Sequence, residues 1–394
     1  MKRVKIIDAI MGSGKTYNAI KRMRKHKGKF VYVTPFLNEV ERVISKVPKT
    51  YQPNVTSSYN AITGEKETNY KRDNLLQMAN GGLNLVTTHT LFSTLHRENY
   101  KFFKDYDLIL DEVLTPIKVL DMKPDDIKLA LNQGLVVADK KTGEVAYTGD
   151  GYEGNFYKQL KKYCATSNVI YLNGRLLVWA FPPEIFKCFK TVTVMTYLFE
   201  GSLLAAYFKY YGISYKVKKE AKQVEQAKKK KIKNLLNIYE GTANDIGNYK
   251  TAFSKGWLSR RTSVELKSYS KSAVNLTQRS FKTSADLNAY TTFKIFKDKL
   301  KGSGFTNGFI AVNERATNMY SNKQTMIYFA NRYLDPNMID FFRSGNVKVD
   351  EEQWALAELI QWIWRGSIRK KGESMNLFIP SKRMRNLLKE WLNS

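Results

Sequence analysis

Short apolar runs of strand length alternate with glycine-rich turns and helix-period stretches through the first 120 residues. Val4 to Ala9 is apolar, Met11 to Thr16 is glycine-rich, and Tyr17 to Arg24 has the composition of a helix. Phe30 to Val33, Asn84 to Thr88 and Asp107 to Leu110 repeat the strand signal after loops. This rhythm predicts a parallel sheet with crossover helices. From Leu114 the pattern loosens. Leu135 to Tyr147, with Lys140, Lys141, Thr142 and Gly143 at its centre, predicts a hairpin, and strand signals return at Val169 to Leu172 and Thr191 to Met195.

A first domain is therefore expected over residues 1–198, with residues 115–167 partly an insertion that carries the hairpin. The aromatic stretch Tyr197 to Tyr211 reads as a packed helix, and Lys216 to Lys233 is charged with few large apolar groups. Strands at Asn307 to Asn313 and Met375 to Ile379, and helices at Glu351 to Arg369 and Ser381 to Leu392, indicate a second domain over residues 199–394. The expected fold class is α/β, two domains each built on a parallel sheet.

Composition narrows the function. The 394 residues carry 65 Lys plus Arg against 36 Asp plus Glu, a formal charge of +29. Residues 208–301 alone hold 22 basic and 7 acidic residues, a net of +15, so a basic accessory region opens the second domain. Such an excess calls for a polyanionic partner, and nucleic acid is the simplest. Two cysteines and three histidines exclude a disulfide framework and leave a structural zinc site short of ligands. The apolar stretch after Lys2 and Arg3 is too short for a signal peptide, and no window approaches a membrane span. A soluble protein of a reducing cytoplasm, without a membrane partner, is expected.

The chemistry concentrates at two places. Ala9-Ile-Met-Gly12-Ser13-Gly14-Lys15-Thr16 follows a strand and opens a helix, the setting a phosphate-binding loop requires. Small residues let backbone N–H groups turn onto phosphates at the helix N-terminus, Lys15 reaches the outer phosphates, and the Thr16 hydroxyl can ligate Mg²⁺. The strict pattern has glycine where Ala9 stands. Leu108-Ile-Leu-Asp111-Glu112 then supplies, at the end of a buried strand, one carboxylate for Mg²⁺ and one to position water.

On these residues the chain resembles the superfamily 2 helicases and translocases, DExx-type motors built of two RecA-like domains. Gly12-Ser13-Gly14-Lys15-Thr16 is similar to their motif I and Asp111-Glu112-Val113-Leu114 to motif II. Thr34-Pro35 resembles motif Ia, Thr87-Thr88-His89-Thr90 the later strand-contacting motif, and Thr196 the coupling motif III. Asn313 to Asn318 resembles motif V, and Gln361-Trp-Ile-Trp-Arg365 motif VI. Composition and the short accessory regions resemble the compact helicases encoded by bacteriophages. Two departures stand out. Ile368 holds the place of the usual second motif VI arginine, with Arg369 one residue later and on the Arg365 face of the expected helix, and no adenine-reading segment precedes Ala9.

The resemblance implies ATP, with Mg²⁺, bound between two domains by Gly12, Ser13, Gly14, Lys15, Thr16 and Asp111, with Thr16 and Asp111 as metal ligands. It assigns catalysis to Lys15, Glu112, Gln361, Arg365 and Arg369, and coupling to Thr196. Thr34, Pro35, Thr88, His89, Arg315, Thr317 and Asn318 become the nucleic-acid contacts. A monomer acting on DNA rather than RNA, without sequence preference, is implied, in phage replication, recombination or repair and in the host cytoplasm. A single-stranded-DNA-binding protein or another replication protein is the candidate partner. Blander readings stay open: Thr88 and Thr90 as strand-end hydroxyls, Trp362 and Trp364 as packing, Lys228 to Lys231 as a solvated face rather than a phosphate track. So do three other functions, a phage DNA-packaging ATPase, a small-molecule kinase and a non-enzymatic nucleic-acid-binding protein.

Overall fold

The computed structural model describes residues 4–59, 66–149, 155–166, 168–312, 319–370 and 372–394. They divide into two compact units. The first comprises the chain up to Asp8, Gly14–Lys219 and Asp335–Val349, and the second comprises Ala9–Ser13, Glu220–Leu334 and Asp350–Ser394.

The first unit is built on a seven-stranded sheet. Its strands are β1 (Val4–Asp8), β2 (Lys29–Thr34), β3 (Thr50–Tyr51), β4 (Asn84–Thr88), β5 (Tyr106–Asp111), β6 (Thr191–Thr196) and β7 (Tyr215–Lys219). They lie in the order β7-β1-β6-β5-β2-β4-β3, and every neighbouring pair is parallel. Central strand β2 carries a continuous apolar run because both faces are covered: Phe30, Val31, Tyr32 and Val33 have no exposed surface. Edge strand β7 instead reads Tyr-Lys-Val-Lys-Lys, charges that keep an exposed edge from pairing further. The expected boundary at 198 falls before β7, which pairs with β1 inside the first unit.

Between β5 and β6 an antiparallel sheet is formed by Ile117–Val119, Leu176–Ala180 and Val169–Leu172. The expected hairpin is present, Val136–Ala138 pairing with Val145–Tyr147, and the Asp139 carboxylate accepts the N–H groups of Lys141 and Thr142 in its turn. The aromatic stretch after β6 is core, with Phe199, Tyr207 and Phe208 fully buried.

The second unit is a four-stranded parallel sheet of β8 (Leu236–Ile238), β9 (Asn288–Thr291), β10 (Thr325–Tyr328) and β11 (Met375–Phe378), ordered β8-β11-β10-β9. Phe253, Trp257, Leu266, Phe329 and Phe378 fill its core. Three expectations change here. Residues 307–312 form no strand; Phe309 makes a single bridge to Tyr290, and the sheet uses β9 and β10 instead. The charged segment from Lys216 becomes edge strand β7 followed by a 14-residue helix, Lys222–Leu235.

The helix expected to run to Arg369 stops at Ile363, and a 3-10 turn follows at Ser367–Arg369. Its chain leaves the helix so that Ser367 N–H can donate to Lys323 O at 2.9 Å and Ser367 Oγ to Ser374 O at 2.9 Å. Gly366 permits that approach, since a Cβ there would stand 2.3 Å from Met375 Sδ and 2.5 Å from Met326 Sδ. Arg365 and Arg369 therefore share no helical face. Arg365 is 4% exposed, whereas Arg369 is exposed.

Candidate nucleotide and nucleic-acid sites

Parallel strand order puts the carboxyl ends of β1, β6, β5, β2 and β4 along one edge of the first sheet, where loops of an α/β fold bind ligands. Register aligns Asp8 with Thr196, Met195 with Asp111, and Thr34 with Thr88. Residues far apart in sequence are thus gathered in one row.

After β1 the chain turns through Gly12 and Gly14, both at φ +74°, a left-handed conformation that glycine adopts without penalty. Gly14 caps the helix α1 (Lys15–Met23), whose first turn carries no acidic residue, so its N-terminal N–H groups and dipole face an anion without competition from α1 itself. Gly12 also lies under Trp364, whose Cζ2 is 2.9 Å from where a Cβ would stand.

Thr16 Oγ1 donates to the Asp111 carboxylate, 3.1 Å from Oδ2 and 3.3 Å from Oδ1. Tyr32 Oη donates to Asp111 Oδ2 at 2.6 Å from the neighbouring strand. Burial pushes the Asp111 carboxyl up to about 6; the adjacent Glu112 charge adds to this, and the Tyr32 and Thr16 hydroxyls oppose it. A hydroxyl and a carboxylate 3.1 Å apart at a phosphate-type loop are hard oxygen donors, the set that suits Mg²⁺ alongside nucleotide oxygens.

Glu112 occupies the left-handed region at φ +66°, unusual for a residue with a Cβ, and its backbone N–H is tied to Met195 O at 2.9 Å. Its Oε2 accepts from Thr196 Oγ1 at 3.3 Å. The second acidic residue and the expected coupling residue are therefore joined directly. Beyond Thr196, Leu198 is also left-handed, and Asp8 holds it there by accepting the N–H groups of Leu198 (2.8 Å) and Phe199 (3.2 Å). Burial raises the Asp8 carboxyl above its ordinary range despite those bonds and the nearby Lys219 and Lys15.

The expected strand contacts of the first unit are less uniform. Thr34 is fully buried, Pro35 partly exposed. Thr88 Oγ1 accepts the Leu91 N–H at 3.2 Å and so caps the short helix α2 (His89–Phe92), while His89 Nε2 lies 3.0 Å from Asp111 O. The His89 ring thus braces the acidic strand end. Alongside α2 opens a cavity of about 870 Å³ lined by Thr90, Thr94, Arg72, Lys118, Tyr163 and Trp179, among others. Lys118 Nζ donates to Tyr163 Oη at 2.6 Å, Arg72 Nη1 meets His96 Nε2 at 2.7 Å, and Tyr70 at the same wall is 66% exposed. Cations interleaved with aromatic rings suit a nucleic-acid strand.

In the second unit, Gln361 sits in the last turn of α4 (Glu351–Ile363; the intervening α3 is Lys222–Leu235), with Arg365 just past its end. Trp362 is fully buried, donating from Nε1 to Ile310 O at 3.2 Å and meeting Tyr328 edge-to-face. Arg315, Thr317 and Asn318 lie outside the described residues. Sequence reasoning missed Asp8 and Tyr32. A carboxylate ending an apolar strand just before the phosphate loop was a usable signal for Asp8; Tyr32 left none, because its partner lies on a neighbouring strand.

The whole chain aligns with the structure of S. tokodaii Xpd4 at a TM-score of 0.50 and 12% identity, covering 98% of this chain and 94% of that one. That likeness defines the class by fold alone, two α/β units that each carry a parallel sheet, a fold shared with that structure. A hypothetical ATP-dependent RNA helicase from Sulfolobus tokodaii aligns at a TM-score of 0.27 and 11% identity, over 99% of this chain and 90% of that one, too distant to add to this. Residues 230–392 match the family described as the YonV C-terminal Rossmann-like domain. Over 419 aligned positions spanning 100% of both chains, the sequence is 37% identical to the SPbeta prophage-derived uncharacterized protein YonV of Bacillus subtilis (strain 168). The chain belongs to the YonV family.

Proposed function

We propose that this protein is an ATP-dependent nucleic-acid helicase or translocase encoded by a phage or prophage. The observation that carries the reading is the Thr16–Asp111 pair at the phosphate-type loop, completed by Glu112 at the same end of β5 and Thr196 at the end of neighbouring β6. Gly12, Ser13, Gly14 and Lys15 bind the phosphates of ATP, and Thr16 and Asp111 are the oxygen donors offered to Mg²⁺. Mg²⁺, when bound, neutralises charge on the phosphate oxygens. Glu112 orients the attacking water, and the bond from Thr196 makes the position of that carboxylate answerable to the chain that leads away through Leu198. Lys15 stabilises charge on the outer phosphates, and Gln361, Arg365 and Arg369 are assigned to the same reaction, with Arg365 as the arginine finger.

Two functional domains are kept, expected as residues 1–198 and 199–394, with the boundary moved past β7 because that strand pairs with β1 in the first sheet. Nucleic acid, DNA in preference to RNA, is held by its backbone without sequence readout, through Pro35, Thr88, Arg315, Thr317 and Asn318. The basic and aromatic cavity beside α2 and the net charge of +29 support that partner. Action in phage replication, recombination or repair, as a monomer in the host cytoplasm beside a single-stranded-DNA-binding protein, completes the proposal.

The test is the ATPase rate with and without single-stranded DNA or RNA, in the native chain, Lys15→Ala and Glu112→Gln. Stimulation by a strand, abolished in both variants, is expected; hydrolysis indifferent to nucleic acid would refute the motor. Arg365→Ala should bind nucleotide and fail to turn it over, with Arg365→Lys and a melting curve as controls for the fold.

A further inference from the structure

The phosphate loop has a cation that its own sequence pattern does not include. Lys228, in the second turn of α3, places Nζ 2.9 Å from Ser13 Oγ, the hydroxyl that sits between the two left-handed glycines. The same ammonium is 2.5 Å from Glu220 Oε1, and Glu220 Oε2 is 3.3 Å from Ser13 Oγ. Ser13 has one hydroxyl proton, and the 2.5 Å approach to Ile10 O is much the shorter of its two donor options. Its oxygen therefore accepts from Lys228, and the Glu220 carboxylate is held beside Ser13 chiefly by that lysine. The ion pair is partly buried, with 31% of the Lys228 side chain and 15% of the Glu220 side chain exposed. Neighbouring Lys229 turns elsewhere, to Ser394 Oγ and the Trp391 ring, while Lys230 and Lys231 are exposed. Within the run of four lysines only the first addresses the loop.

We propose that Lys228 is a ligand for the nucleotide's outer phosphates and that Glu220 is the anion they displace. This rests on the nucleotide reading of the loop. A carboxylate and a phosphate carry the same sign of charge, and Lys228 is already drawn toward the loop by Ser13. As phosphate oxygens arrive, the ammonium exchanges a carboxylate partner for a more highly charged one, and Glu220 is driven off by repulsion. Lys228 thereby leaves the proposed nucleic-acid track and joins the nucleotide site.

The test measures dissociation constants of a fluorescent ATP analogue and of the matching monophosphate, with Mg²⁺, on the full chain by direct titration. Native protein, Lys15→Ala, Lys228→Ala, Glu220→Gln and Lys230→Ala are compared, and single-stranded DNA affinity is read in parallel at fixed salt. Lys228→Ala is expected to weaken the triphosphate by about ten- to a hundredfold, with a smaller effect on the monophosphate. Glu220→Gln is expected to tighten it by about threefold or more, because the competing charge is gone while the side-chain size is kept. Lys230→Ala should leave both nucleotides unchanged. If Lys15→Ala weakens the triphosphate but Lys228→Ala and Glu220→Gln do not shift it as stated, this inference is wrong and the nucleotide reading survives. If Lys228→Ala lowers only DNA affinity, the lysine belongs to the track and the inference is again overturned. If native and Lys15→Ala proteins bind alike or not at all, both fall together.

Discussion

Tyr32→Phe removes one hydroxyl from a fully buried ring and leaves its volume otherwise unchanged. That hydroxyl donates to Asp111 Oδ2 at 2.6 Å, and Asp111 is itself only 7% exposed, so solvent cannot replace the donor. Hydrogen bonds to charged groups are worth about 1.5–3 kcal/mol, and the loss should fall near the middle of that range, since Thr16 still donates. For a unit of this size about 2 kcal/mol corresponds to a drop in Tm of roughly 4–8 °C. The sign with pH follows from the Asp111 carboxyl, raised from its ordinary 3.8 to about 6. A raised value means that the folded state prefers the protonated form. The group's stabilising contribution is full below pH 3.8 and is lost as pH rises through about 6, by about 3 kcal/mol in total. Removing a donor that favours the carboxylate raises the folded value further, so the penalty keeps growing above pH 6. Differential scanning calorimetry of native and Tyr32→Phe chains at pH 5 and pH 8 should show the larger Tm difference at pH 8. An equal difference at both values, or none, would refute the claim that the phenol stabilises a buried charge.

Other expected outcomes follow from single contacts. Asp8→Ala leaves the Leu198 and Phe199 N–H groups without their acceptor and should cost about 2–4 kcal/mol in urea unfolding, with a reduced ATPase rate because the segment after Thr196 loses its anchor. Gly366→Ala puts a Cβ among Met375 Sδ, Met326 Sδ and Lys323 O and should lower Tm by several degrees, whereas Gly256→Ala, with open space around its Cβ, should not. Arg72→Ala combined with Lys118→Ala should weaken single-stranded DNA binding in a filter assay and flatten its dependence on salt by about two cations' worth; an unchanged slope would remove the cavity from the nucleic-acid path.

Local sequence carried the parts of this protein that depend on neighbours along the chain. A strand, Gly12-Ser13-Gly14-Lys15-Thr16 and a helix must follow one another for the loop to exist, and the sequence shows that succession directly. Asp111 and Glu112 were legible for the same reason, as the polar end of an apolar strand. The helix expected from Ser381 was legible from its apolar period; it runs Lys382–Asn393, and Ser381 caps it by accepting the Met384 N–H. Strands β9 and β10 were obscured because Asn288, Thr291 and Thr325 dilute their apolar character; the sheet accepts them because these polar residues are buried, with Asn288 donating to Gly304 O at 2.9 Å.

Other features depend on strand order and on approach between distant segments, which periodicity does not encode. Tyr32 finds Asp111 because β2 neighbours β5, and Thr196 finds Glu112 because β6 neighbours β5 on its other side. His89, expected to face a strand of nucleic acid, is turned to the Asp111 carbonyl by the position of α2 at the same edge. The helix before Arg365 stops where Gly366 lets the Ser367 N–H reach Lys323 O, a contact across 44 positions that an extrapolated helical period overruns. Lys228 looked like one of four equivalent charges until Ser13 and Glu220 distinguished it. The sequence by itself determined which chemical groups are available and which local turns present them; the tertiary structure decided their partners, because burial at 2.6–3.3 Å from a specific neighbour is what gives each group its charge state and its task.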